Sequence, residues 1–425
     1  MPHFDLDYQL TEAVLDNGLR VIVNRDPMAP AQAVNIWYQV GSADERAGAT
    51  GFAHLFEHLM FSGSRQVASS EHLSSIESIG GSANATTSFD RTNFFETVPP
   101  GALELALWLE AERMESLAVT EENFATQREV VKEEKRQRYD NVPYGDQIEL
   151  LLGLNFPTGH PYDHPPIGSM ADLDAASLDD AQDFYRRWYR PDNAVLSVCG
   201  PLPPKDVIEL ARRQLGAIEP KAPDQPRQAI PARPHSGEPF SLVERAVPST
   251  LLHLCWRTPP FADPAHLAVE QALAILASGQ ASRLPELLER RIGSAESVGS
   301  GDFGLSREVS LATITARVRR GHRAEEIIDA TLTELDRLAC AGPTAQELAR
   351  ANATFDREWL GRLASVEARA DEISSFATLT GDPREINSLL SRVHAITADE
   401  IAQATRDWLA PAARATLVYQ AQENR

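Results

Sequence analysis

Cysteine is scarce in this chain: Cys199, Cys255 and Cys340 are the only three in 425 residues. Their odd number and wide spacing leave no disulfide framework and no thiolate metal pattern. They read as buried free thiols of a reducing compartment. Positive charge is short as well, with 40 Lys and Arg against 61 Asp and Glu and a formal net charge of −21. A chain of that sign repels phosphate backbones and anionic lipid surfaces, so neither nucleic acid nor a membrane is expected as a partner. No apolar run approaches the ~20 residues that span a bilayer. Met1 to Asp7 has neither the basic stretch nor the apolar core of a signal peptide. These absences point to the cytoplasm, or to the periplasm if a signal peptide has been removed.

What is present is a hydrophobic content of 43%, normal for a globular protein, in a chain too long for one ordinary core. The sequence repeats itself. Ser177 to Phe184, Arg187-Trp188-Tyr189-Arg190-Pro191 and Ala194 to Val198 return 220 residues later as Thr397 to Ala404, Asp407-Trp408-Leu409-Ala410-Pro411 and Arg414 to Val418. Each copy reads as a capped helix, a Pro-marked turn and a strand. Strand-like runs, Arg20 to Val23 and Val34 to Val40, open the first half, and Leu251 to Trp256 answers in the second. The expectation is an α+β fold: a tandem duplication of two units, each a sheet packed against helices. Residues 1–218 form the first unit, 219–239 a Pro-rich linker, and 240–425 the second.

Histidine is also scarce, 11 residues in all, yet two stand four apart in His54-Leu55-Phe56-Glu57-His58. Phe52, Leu55, Phe56, Leu59 and Met60 form a stripe at helical spacing around them. Positions four apart on a helix share a face, so both imidazoles can reach one Zn²⁺. A zinc with three protein ligands keeps its fourth position for water and lowers the water's pKa towards roughly 7. Glu57 is then placed to act as general base. A third ligand should come from another helix. The charge-rich segment Gln127 to Arg138 offers Glu133 or Glu134, whereas Glu104, Glu110, Glu112 and Glu115 read as a solvated helix face. Gly81 to Phe89 and Thr92 to Val98 read as a hairpin. The two histidines of Gly159-His160-Pro161-Tyr162-Asp163-His164-Pro165-Pro166 read as part of a Pro-rich loop rather than as ligands.

With these segments in view, the chain resembles the pitrilysin-type zinc peptidases, or inverzincins, which join an inverted His-x-x-Glu-His helix to a distal glutamate about 75 residues on. Glu134 stands 76 positions after His58. The resemblance therefore implies one Zn²⁺ per chain, held by His54, His58 and Glu134, with Glu133 as the fallback ligand. Many members carry a second glutamate seven residues before the ligand. Gln127 stands there and would tune the site without charge. The hairpin resembles the family's edge strand, which implies that Asn84, Ala85, Thr86 and Thr87 hold a peptide as an added strand. The family's architecture implies that the two units form half of a peptidase clamshell.

In the second half Glu270 to Leu276 occupies the place of the motif and contains no His. Many members also carry an Arg and, seven residues on, a Tyr that stabilise the oxyanion of the tetrahedral intermediate. Glu289 and Glu296 fall at those positions. The expected function is a zinc endopeptidase acting on oligopeptides or unfolded chains in a closed chamber, as the catalytic subunit of a heterodimer whose homologous partner supplies the Arg/Tyr pair. The competing expectation is a non-catalytic scaffold subunit. Retention of both histidines, the base and the distal glutamate speaks against it.

Overall fold

Val21-Ile22-Val23 and Val195-Leu196 are apolar at consecutive positions, and such strands need cover on both faces. The computed structural model, which describes residues 5–219 and 238–422, provides that cover in an unexpected way. The first half runs β1 (Leu10–Val14), β2 (Arg20–Arg25), β3 (Gln32–Tyr38), α1 (Phe52–Leu59), α2 (Glu71–Ser78), β4 (Ser82–Thr87), β5 (Thr92–Val98), α3 (Leu103–Ser116), α4 (Glu121–Lys135), α5 (Gln147–Asn155), α6 (Met170–Ala175), α7 (Leu178–Trp188), β6 (Ala194–Gly200) and α8 (Pro204–Leu215). The second runs β7 (Phe240–Arg245), β8 (Leu251–Thr258), α9 (Pro264–Ala277), β9 (Ala295–Asp302), β10 (Ser310–Val318), α10 (Ala324–Ala341), α11 (Ala345–Leu363), α12 (Val366–Leu379), α13 (Glu385–Ala395), α14 (Ala398–Trp408) and β11 (Arg414–Ala421).

The first sheet has the order β1-β2-β6-β3-β5-β4 and the second β7-β11-β8-β10-β9. Apart from β1 the two orders are the same, with one parallel pair in each, β2/β6 and β7/β11. The repeat read from Trp188/Trp408 and Pro191/Pro411 is thus a repeat of topology. Its helices α7 and α14 begin on Ser177 and Thr397, whose side chains accept from Asp180 N and Glu400 N. Residues 220–237, nearly all of the expected linker, lie outside the described residues, as do residues 1–4.

One face of each sheet is covered by helices of its own half. Val21, Val23, Ile36 and Leu196 join α1, α3 and α8 in one core, and Leu254, Trp256 and Ile314 join α9, α10 and α14 in another. The opposite faces are covered by exchange. Ile22, Ala33, Val195 and Cys199 of the first sheet pack against Ile373, Phe376 and Leu390 of α12 and α13. Cys255, Leu417 and Tyr419 of the second sheet pack against Leu151 and Leu152 of α5. The two halves are therefore interlocked by α12 and α13 of the second and α5 of the first.

Two expectations need correction. Cys199 and Cys255 are buried, but Cys340 is exposed, because it lies on the outer face of α10 near its end. Of the four acids of α3, Glu104 and Glu115 are solvated, but Glu110 and Glu112 are buried. They are tolerated there because each is paired. Glu110 binds Arg113, and Glu112 accepts from Ser64 Oγ and from Gln66. No helix among the described residues is long and apolar enough to cross a membrane.

Candidate metal centre

The helix α1 is short, and its apolar stripe fixes its orientation. Phe52, Leu55, Phe56 and Leu59 are almost fully buried, and each such side chain contributes roughly 1.5–3 kcal/mol. Phe56 stacks on Phe184 and Tyr189 at 5.3 Å. With that face turned inward, His54 and His58 sit half-buried along the flank, their rings 5.0 Å apart.

Helix α4 brings the third donor. Glu134 Oε2 lies 3.7 Å from His54 Nε2 and 3.3 Å from His58 Nε2, and one donor atom from each residue lies within 4.8 Å of the others. Donors at ~2.0–2.2 Å around a tetrahedral ion are separated by about 3.3–3.6 Å, so these residues fit a zinc. The set of two imidazoles and one carboxylate is the three-ligand kind that leaves a position open. Burial pushes the His54 imidazole down, against the field of Glu57, and a neutral ring is the form a metal takes. Glu134 Oε1 is held by Arg138 at 2.7 Å. Glu133 points elsewhere, exposed and bound to Arg136 and Gln137.

Glu57 faces the sheet edge. Its Oε2 accepts from Thr87 Oγ1 at 2.5 Å. Among the described residues, the strand β4 that carries Thr87 is the terminal strand of its sheet and pairs only with β5. Its outer edge is thus free to pair. Asn84 and Thr86 are exposed, Ala85 is buried and Thr87 is partly buried. Thr86 is tied from behind by Asn93 Oδ1 at 2.5 Å and by Arg91. Gln127 lies on α4, half-buried, and makes no side-chain hydrogen bond among the described residues. His54 Nδ1 likewise has no partner among them.

The loop containing His160 and His164 holds the start of α1 in place. Glu45 accepts from Gly51 N at 2.8 Å and Ala53 N at 2.7 Å, the first amides of the helix. His164 lies between Glu45 (3.0 Å) and Asp163 (2.7 Å). Burial opposes its charge, but those two carboxylates outweigh it and raise His164 to about 9. With both ring nitrogens engaged, His164 has no atom to offer a metal. Gly168 touches the same turn, where a Cβ would lie 2.4 Å from Gly51 N. Sequence reasoning missed Glu45 and Arg138. An acid six residues before a helix stands outside the usual capping spacing, and Arg138 lies beyond the α4 cap.

A second group, His72, Glu96 and Glu110, also brings three donor atoms within 4.8 Å. Here a cation is already present. Arg113 binds Glu110 and lies 4.3 Å over the Phe94 ring. Burial drives both His72 and Glu96 towards their neutral forms, about 3 and about 7. The group is a paired core cluster.

The sequence matches the profile described as insulinase (peptidase family M16) over residues 20–149 and the profile described as the peptidase M16 inactive domain over residues 175–355. The chain belongs to peptidase family M16. It is 33% identical over 289 residues to the zinc protease PqqE of Helicobacter pylori, covering 65% of this chain and 63% of that protein, under two thirds of the relative's length. It is 25% identical over 405 residues to an uncharacterized zinc protease of Streptomyces coelicolor, covering 93% of this chain and 86% of that one. Two solved structures share the fold. A protease from Helicobacter pylori superposes with a TM-score of 0.92 at 24% identity, covering 97% and 99% of the two chains. Pitrilysin superposes with a TM-score of 0.79 at 17% identity, where 99% of this M16 chain covers 46% of the other.

Proposed function

We propose that this M16 chain is a zinc-dependent endopeptidase of oligopeptides or unfolded polypeptides, and that it carries the zinc-bearing part of a two-subunit active site. The convergence of His54, His58 and Glu134 beside Glu57, at the free edge of β4, carries the reading. His54 Nε2, His58 Nε2 and Glu134 Oε2 would hold one Zn²⁺. When bound, the metal would supply Lewis acidity towards a water and a peptide carbonyl. Glu57 takes the water's proton and passes it to the leaving amine. The Thr87 hydroxyl holds one Glu57 oxygen towards the strand edge and leaves the other for that proton. A substrate strand adds along Asn84 to Thr87 through main-chain hydrogen bonds, which explains how varied sequences can be accepted. Gln127, two turns before Glu134, is the uncharged neighbour of the site.

The positions expected to hold the Arg and Tyr give the reason for a partner. Glu289 Oε1 accepts from Val298 N at 2.7 Å, locking the turn before β9 to that strand, and Glu296 is exposed on β9. Neither can donate to an oxyanion. We infer that a homologous subunit with the Arg/Tyr pair completes the chamber. Zinc content and cleavage of a quenched peptide, measured for wild type and Glu57→Gln with and without such a subunit, test both points. Wild type should bind one zinc and cleave only with the partner. Glu57→Gln should keep the zinc and lose at least ~100-fold in rate. Full activity of the isolated wild type would refute the shared site, and normal cleavage by Glu57→Gln would refute the base.

A further inference from the structure

The strand β4 is held from both faces. Side chains alternate along a strand, so Ala85 and Thr87 face α1 while Asn84 and Thr86 face the other way. Thr87 Oγ1 meets Glu57 on the first side, where Ala85 joins the core that α1 shares. On the second side Thr86 Oγ1 donates to Asn93 Oδ1 at 2.5 Å. Arg91 Nη1 donates to the same Oδ1 at 3.0 Å and to Thr86 O at 2.8 Å. Asn93 Nδ2 in turn donates to Asp371 Oδ1 at 2.8 Å. Asp371 stands on α12, a helix of the half whose sequence has no counterpart of the His-x-x-Glu-His motif.

One carboxylate oxygen of Asp371 gathers three N–H groups of the first sheet: Trp37 Nε1 at 2.7 Å, Asn93 Nδ2 at 2.8 Å and Asn35 Nδ2 at 3.2 Å. Bonds to an ionised acceptor are stronger than bonds between neutral groups. Because Asn93 turns its N–H towards that carboxylate, its C=O is left facing Thr86 and Arg91. Asp371 thus fixes which way round the Asn93 amide sits. Burial opposes the charge on Arg91, and the field of Asp371 favours it. Two more contacts from the same half meet the hairpin. Glu367 Oε2 accepts from Thr97 Oγ1 at 2.7 Å near the end of β5, and Arg307 Nε lies 3.2 Å from Asp90 Oδ1 at the turn.

We propose that Asp371 is a positioning residue for the peptide-binding edge, holding β4 through Asn93 and Thr86 in the conformation that an added strand requires. The proposal rests on the reading of β4 as the strand that takes the substrate. The half without the metal motif thereby acts on substrate binding and not on the metal.

The parent for the test is the full chain carrying Glu57→Gln, so that nothing is cut. Its binding of fluorescein-labelled tryptic peptides of casein is followed by anisotropy, beside hydrogen exchange of β4 and zinc competition against a chelator. Asn93→Asp sets two carboxylates face to face. It should weaken peptide binding about tenfold and speed exchange across Ser82–Thr87 by about the same factor. Its zinc affinity should stay within about twofold of the parent, because the metal centre is a separate set of contacts. Adding Asp371→Asn should restore both losses, since the exchanged pair rebuilds the bond with donor and acceptor reversed. Asp371→Asn alone keeps an acceptor for the same N–H groups and should bind peptides within about threefold of the parent. Equal peptide binding by the parent and Asn93→Asp, a loss that Asp371→Asn does not restore, or a parallel loss of zinc affinity would each overturn the proposal while leaving the strand-addition reading in place. Absence of saturable peptide binding by the parent would overturn that reading, and the proposal with it.

Discussion

At the scale of single residues, one step along a helix separates the proposed metal ligand from a surface charge. Glu133 and Glu134 are adjacent and chemically identical, but successive helical positions point about 100° apart. Only Glu134 faces the two imidazoles, at 3.3 and 3.7 Å, while Glu133 spends its oxygens on Arg136 and Gln137. Zinc competition against a chromophoric chelator should separate them. Glu134→Gln should lower zinc affinity by on the order of 100-fold or more, since it replaces the proposed ligand carboxylate, whereas Glu133→Gln should leave it unchanged. Equal losses in both variants would contradict the assignment.

At the scale of elements, α1 depends on contacts outside itself. It is eight residues long, too short to persist alone, and no side chain caps it at Gly51. Glu45 takes that part by accepting from the amides of Gly51 and Ala53, and its negative charge suits the positive helix start. His164 in turn holds Glu45. Its folded value of about 9 lies above its ordinary 6.5. A raised value means that the folded state binds the proton more tightly. The stabilisation is complete below about pH 6.5 and is lost as pH rises through about 9. Urea unfolding at pH 6 and pH 10 should show wild type losing up to ~3 kcal/mol more than His164→Gln over that interval. Parallel losses in the two proteins would show that His164 does not hold this proton.

At the scale of the whole molecule, the exchange of α12 and α5 makes the two sheets interdependent. Ile373 of α12 is fully buried against Ile22, Ala33 and Val195 of the opposite half. If either half melts, it uncovers the other's sheet. Scanning calorimetry of the intact chain should therefore show one endotherm, and Ile373→Ala should move it as a whole to lower temperature, at a cost of ~2–4 kcal/mol. Two separate endotherms, with only one shifted, would mean that the halves are independent domains.

Much of this was open to a reader of the chain. The spacing of His54, Glu57 and His58, the apolar stripe beside them, the Trp188/Trp408 repeat and the hairpin of β4 and β5 are periodic or local patterns, and such patterns survive in one dimension. Local backbone geometry converts them directly into helix faces and strand pairs. What tertiary structure alone decided depends on contacts between distant segments. The pairing of Glu112 with Ser64 and Gln66, the Glu45–His164 anchor 119 positions apart and the crossed helices α12 and α5 have no local signature. Each is fixed by which surfaces must be buried together once the two sheets form, and that choice belongs to the packed core rather than to any stretch of sequence.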